Sequence, residues 1–172
     1  MTTDAAIVIA PYDPTWPARF EEEAKRLSQA LGELAVRIDH IGSTSVPGLA
    51  AKPVIDIQIS VARLEPLDPI RNSLAGAGYT HHPSDWDAFY PFFHKPATWP
   101  HTHHLHVCTT GGREERRHLA FRDFLRANPG IAREYEALKR RLAAEHSAES
   151  FESRNAYAEA KSEFIVPLQT DD

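Results

Sequence analysis

DHIGSTSVPGLAAKPVIDIQIS, residues Asp39–Ser60, reads as strand, turn and strand. The apolar-flanked run 35–41 is the first strand, and Gly42 and Ser43 follow it directly. Gly and Ser ease a tight reversal of the chain. Ser45 is placed to cap a helix opening with Pro47, the residue type favoured in a first helical turn. Backbone N–H groups left free at such a start attract anions, phosphate above all. In the second strand, 54–61, Ile55, Ile57, Ile59 and Val61 alternate with Asp56, Gln58 and Ser60. A period of two sends the apolar residues to one sheet face and Asp56 with Gln58 to the other. An anion-binding turn and a carboxylate are therefore expected side by side, which points to nucleotide chemistry.

Working outward, Phe20, Ala24, Leu27 and Leu31 recur at helical spacing after the Asp13-Pro14-Thr15 turn and stop at Gly32. A second helix is predicted over 66–77, and short strands at 79–81, 88–94 and around Leu105–Cys108. Loops dense in proline, histidine and tryptophan fill 82–87 and 95–102. From Arg113 the chain turns helical, with an apolar stripe Ile131, Tyr135, Leu138, Leu142 and a last helix over 154–166. The prediction is an α/β (α+β) fold: a mixed β-sheet flanked by helices, with a C-terminal helical segment, in one domain.

Composition narrows the function. With 172 residues and 42% hydrophobic content, one core suffices. A net charge of −5 argues against non-specific nucleic-acid binding, though not against a basic pocket for one nucleotide. Cys108 is the single cysteine, so no internal disulfide is expected. No run approaches the ~20 apolar residues of a membrane span, and the N-terminus lacks a signal-peptide pattern. A cytoplasmic protein is the expectation.

Ile41-Gly42-Ser43 followed by Asp56-Ile57-Gln58 resembles the Gly-Ser and Asp-x-Asp signature of the nucleotidyltransferase superfamily, the DNA polymerase beta type fold. The longer string HIGSTSVPGLAAKPVIDI, with Thr102–His106, His118–Leu125 and Tyr157–Ile165, resembles the GrpB (UPF0157) family from about Tyr12 to Pro167. The resemblance implies transfer of a nucleoside monophosphate from a nucleoside triphosphate to a small hydroxylated acceptor, with a divalent metal. Asp56 would hold Mg²⁺ or Mn²⁺. Gly42, Ser43, Thr44, Ser45 and Lys52 would meet phosphate, joined by Arg122 and Lys161 from the C-terminal helices.

The sequence also departs from the superfamily pattern. Gln58 stands where a second acid belongs, and His104-Leu105-His106 stands where a third is sought. Alternation puts His104 and His106 on one strand face, so Asp56, Gln58, His104 and His106 form a candidate metal set. Imidazole shifts the preference toward Zn²⁺ or Ni²⁺. His106 is then a candidate for metal or for the acceptor proton. Two alternatives follow: a His/Asp metal-dependent phosphoester hydrolase, and a non-catalytic nucleotide-binding accessory module. The C-terminal helices offer Arg122, Asp123, Lys139, Tyr157 and Lys161; Lys161 and Arg122, set amid aromatic residues, either pair within the chain, with Asp123 or another acid, or enter a polar cleft.

Overall fold

A computed structural model describes residues 6–146 and 148–165. Five strands form one mixed sheet, β1 (Ala35–Ile41), β2 (Ile55–Val61), β3 (Thr80–His82), β4 (Phe92–Lys95) and β5 (His103–Thr109), in the order β1-β2-β5-β4-β3. β2 and β5 are parallel, and every other pairing is antiparallel. Parallel strands need a long crossover. Here α2 (Asp68–Gly76), β3 and β4 lie between β2 and β5 in the chain.

The isoleucine face of β2 does what its alternation predicts. Ile55, Ile57 and Ile59 are fully buried with Leu105, Val107 and Phe93 beneath α1 (Trp16–Leu31) and α2. Each such side chain contributes ~1.5–3 kcal/mol relative to an exposed one. The opposite face carries Asp56, Gln58, His104 and His106. On that side lie α3 (Arg113–Ala127), α4 (Pro129–Glu145) and α5 (Phe151–Ile165), whose apolar sides gather Phe121, Leu125, Tyr135 and Phe164 against Val46 and Leu49. The apolar stripe read on α4 is thus real: Tyr135 and Leu142 are buried, and Ile131 and Leu138 pack beside them.

Three predicted elements differ. No helix opens at Pro47. Ser43–Ser45 forms one 3-10 turn, and the chain then runs to Ala51, which bridges Ala10. Only five residues separate Pro47 from Pro53, and a proline restrains the residue before it to extended backbone, so a helix has no room to propagate. The strand expected over 88–94 is shortened to β4. Ser84 caps a 3-10 turn, Asp85–Ala88, by accepting the Trp86 N–H at 3.2 Å. The last helix begins earlier than expected, at Phe151, and its expected end at Val166 lies outside the described residues. Among the described residues no helix is long and apolar enough to cross a membrane.

Candidate active site

Gly42 sets the geometry. Its φ of +70° with ψ of −175° belongs to a region essentially reserved for glycine. A Cβ there would lie 2.9 Å from Asp56 Cβ and Cγ, and nearer still to Oδ2. The bare glycine lets the β1 exit press against the Asp56 carboxylate, which faces Ile41 across the β1–β2 ladder.

The turn hydroxyls serve the turn. Ser45 Oγ donates to Gly42 C=O at 2.5 Å, and buried Thr44 Oγ1 lies 2.9 Å from His40 Nε2. The N–H groups of Ser45 and Val46 close the turn on Gly42 and Ser43. An anion here would address the Ser43 and Thr44 amides, in place of the helix start expected from Ser45 and Pro47. The Ser43 side chain pairs with the Tyr135 hydroxyl.

Around Asp56 the chain collects cations from three elements. Lys52 comes from the approach to β2, Lys139 from α4 and Lys161 from α5, and each acts on the Asp56 charge. Burial raises the Asp56 carboxyl to about 6 against the opposing pull of Lys52, Lys161 and Lys139. Burial, reinforced by Lys52, lowers Lys161 to about 7 while Asp56 resists. Burial brings Lys139, 2% exposed and donating to Ala50 C=O, to about 7 as well. Lys52 also falls, chiefly through burial. Lys52 and Lys161 lie over the Tyr157 ring at 4.9 and 4.6 Å. The Tyr157 hydroxyl is buried with no hydrogen-bond partner among the described residues. Such an orphaned group marks a place where water or a ligand oxygen belongs.

The histidines divide. The parallel register sets His104 beside Asp56 and His106 beside Gln58. His104 Nδ1 lies 3.6 Å from Asp56 Oδ1, and its Nε2 lies 3.0 Å from His101 Nδ1. His101 in turn stacks on His94 at 4.1 Å. Burial drives His104 well below the usual histidine range, and His101 to about 4, so both are neutral near pH 7. His106 is instead stacked on Tyr90 at 4.3 Å, with His118 on the ring's other side at 4.7 Å. Gln58 is fully buried, accepts the Tyr90 O–H at 3.0 Å and donates to Glu115 C=O at 3.4 Å.

The proposed four-residue metal set is therefore only half assembled. Asp56 and His104 converge, whereas Gln58 and His106 turn to Tyr90. No group of three or more His, Cys, Asp or Glu side chains among the described residues is arranged to hold a metal. Arg122 is engaged elsewhere: it donates to His40 C=O at 3.2 Å and pairs with Asp123 at 2.8 Å and Asp39 at 3.8 Å. It braces β1. A cavity of about 570 Å³ lies behind the turn, lined by Val46–Leu49, Arg126, Arg133 and Glu136, and Asp56 takes no part in it.

Lys139, His101 and the Tyr157 hydroxyl are the site groups that sequence reasoning placed least well. The one signal for Lys139 is a lysine four residues after Tyr135 inside an apolar stripe.

Residues 6–170 match the GrpB protein family. The UPF0157 protein YqkA of Bacillus subtilis is 40% identical over 159 residues, which are 92% of this chain and 45% of that protein. A UPF0157 protein of Halalkalibacterium halodurans is 40% identical over 168 residues, 96% of this chain and 82% of its own. The chain thus spans less than half of the Bacillus relative. A dephospho-CoA kinase of Mycolicibacterium paratuberculosis is 32% identical over 160 residues, 79% of this chain but 39% of the kinase. The crystal structure of GrpB from Enterococcus faecalis superposes with a TM-score of 0.76 at 35% identity, over 93% of this chain and 98% of that one. At the level of fold alone, the chain is similar to a GLD-2/RNP-8 complex (TM-score 0.58, 9% identity, 95% and 62% covered). It is also similar to a cytoplasmic RNA terminal U-transferase (TM-score 0.50, 11% identity, 76% and 40% covered). The fold is nucleotidyltransferase-like, and the chain belongs to the GrpB family.

Proposed function

We propose that the chain binds a nucleoside triphosphate at the Asp56 cleft and transfers its nucleoside monophosphate to a small hydroxylated acceptor. The observation that carries this reading is one carboxylate pressed against the Gly42 turn and acted on by the charges of Lys52, Lys139 and Lys161, on a nucleotidyltransferase-like fold. Three lysines, two of them near neutral pKa, suit a polyanion: its negative charge favours their protonated forms. The Ser43 and Thr44 amides and the Tyr157 hydroxyl supply further donors.

The donor set fits one Mg²⁺ or Mn²⁺ and not a pair. Mg²⁺ is commonly held by one or two carboxylates plus substrate phosphates. Asp56 provides one carboxylate, while the Gln58 oxygen is committed to Tyr90. When bound, the ion neutralises charge on the phosphates. The lysines take up the part of that task a second ion performs elsewhere.

The residues also supply a route for the proton. In the tautomer that donates from Nε2 to His101, His104 presents an unprotonated Nδ1 toward Asp56. An acceptor hydroxyl bridging the two from the open side, within hydrogen-bond reach of both, gives its proton to Nδ1 as its oxygen bonds the α-phosphorus. The bond from that phosphorus to the α,β-bridging oxygen breaks, and pyrophosphate leaves. Asp56 favours the imidazolium so formed. His104 thus takes the proton role that the sequence assigned to His106.

Incubating the protein with nucleotides labelled at the α-phosphorus, Mg²⁺ or Mn²⁺ and a set of small alcohols and sugars tests this directly. Label transferred to an acceptor, with equimolar pyrophosphate and dependence on His104, supports the reading. Nucleotide binding without transfer for any acceptor supports the accessory-module reading, which is favoured by the similarity to part of a dephospho-CoA kinase. The hydrolase reading is left with two converging ligands, Asp56 and His104.

A further inference from the structure

A line of rings leads from Asp56 to the surface. His104, beside Asp56, meets Phe92 edge-on at 5.1 Å. Phe92 meets His82 at 6.2 Å, and His82 lies against Phe151 at 4.7 Å with the planes 30° apart. Phe151 is 54% exposed, which leaves a face of its ring open to solvent while the other lies toward His82.

Helix α5 connects the same two ends. Phe151, Arg154, Tyr157 and Lys161 recur along one side of it, and their contacts place that side over the cleft. Phe151 lies on His82, Arg154 over the Trp99 ring at 4.4 Å, and Tyr157 between Lys52 and Lys161. Lys161 lies ten positions after Phe151, about 15 Å along the axis at 1.5 Å per residue. That is the scale of an extended nucleoside triphosphate.

We propose that Phe151 and His82 form the platform on which the base of the bound nucleotide stacks, with its triphosphate at Lys161 and Lys52. This rests on the reading of the lysine cluster as the triphosphate site. The occupant follows from the arrangement: a partly exposed aromatic ring backed by a second, on the same side of α5 as a cationic cluster one nucleotide-length away. Stacking uses the ring face that every base has, so the platform discriminates little among bases and confers affinity on nucleotides as a class. Arg154, held over Trp99, stands between the two ends and nearer Phe151, where the ribose would pass.

The test is calorimetric titration of wild type, Phe151→Ala and Phe151→Trp with ATP, inorganic triphosphate and adenosine, each with Mg²⁺. Phe151 is exposed, so neither substitution endangers folding. Wild type is expected to bind ATP roughly tenfold or more tighter than triphosphate, the scale of one base stacked on an aromatic ring. Phe151→Ala should bring ATP down to the triphosphate affinity and leave triphosphate unchanged. Phe151→Trp should keep the ATP advantage and show quenched indole fluorescence on binding. If ATP and triphosphate bind wild type equally, or Phe151→Ala preserves their ratio, the platform is refuted while the phosphate site stands. If adenosine binds through Phe151 and triphosphate does not bind, the platform stands and the phosphate reading falls. If no ligand binds, both fall.

Discussion

Replacing Gly42 with alanine strikes the contact on which the site is built. Its backbone, at φ +70° and ψ −175°, suits essentially glycine alone, and holding alanine there costs of order 1–3 kcal/mol. The new Cβ would also stand 2.9 Å from Asp56 Cβ and Cγ, and overpacking of this kind typically costs about 1–3 kcal/mol. Together the two give roughly 2–6 kcal/mol, a large share of the ~5–15 kcal/mol that holds a domain folded. Urea unfolding of wild type, Gly42→Ala, Asp56→Gly and the double variant forms a cycle that separates the terms. Asp56→Gly removes both Cβ and carboxylate, so in its background the steric share should vanish, about 1–3 kcal/mol of favourable coupling, while the backbone share remains. A Gly42→Ala cost under about 1 kcal/mol, or a cycle with no coupling, would refute the close approach as the reason for this glycine.

Arg122→Ala should lower stability by about 1–3 kcal/mol, since it orphans a bond to the His40 carbonyl, and leave nucleotide affinity unchanged; unfolding and titration on one sample check both. Nucleotide binding at pH 8 should take up protons, because Lys139 and Lys161, near 7 in the free protein, are largely neutral there and a polyanion raises them. The binding enthalpy should therefore depend on the buffer's ionisation enthalpy, and affinity should fall as pH rises through and above 7. The Asp56 carboxyl, raised to about 6, favours the fold most at acid pH, below its unfolded value of ~3.9, and this benefit is lost as pH rises through about 6. Asp56→Asn should accordingly look more stabilising, or less destabilising, at pH 7.5 than at pH 4 in denaturant unfolding.

Local pattern made part of this site legible. Alternation in Ile55–Val61 assigned Asp56 and Gln58 to the face opposite the core, and the same rule placed His104 and His106. It could not supply the β2–β5 register, which joins strands almost fifty residues apart and decides that His104, rather than His106, meets Asp56. Nor could it foresee that Gln58 is locked by Tyr90, a residue from the loop region, or that the turn hydroxyls of Thr44 and Ser45 close on their own segment. Lys139 was hardest to place. Its neighbours Tyr135 and Leu142 are core residues, and only the packing of α4 on the Leu49–Ala51 backbone shows that this lysine points inward. The helix expected at Pro47 failed for a reason present in the sequence, the second proline at 53, which local capping signals outweighed.

Titration of ATP with Mg²⁺ into wild type, Lys161→Met and Asp56→Asn tests the central claim most directly. The account predicts saturable one-site binding to wild type and a loss of at least about tenfold in affinity for Lys161→Met, the scale of one charge-assisted contact. It also predicts loss of the Mg²⁺ dependence in Asp56→Asn. Binding that is indifferent to Lys161 and to Asp56, or no binding in the wild type, would contradict the assignment of this cleft as a nucleoside triphosphate site.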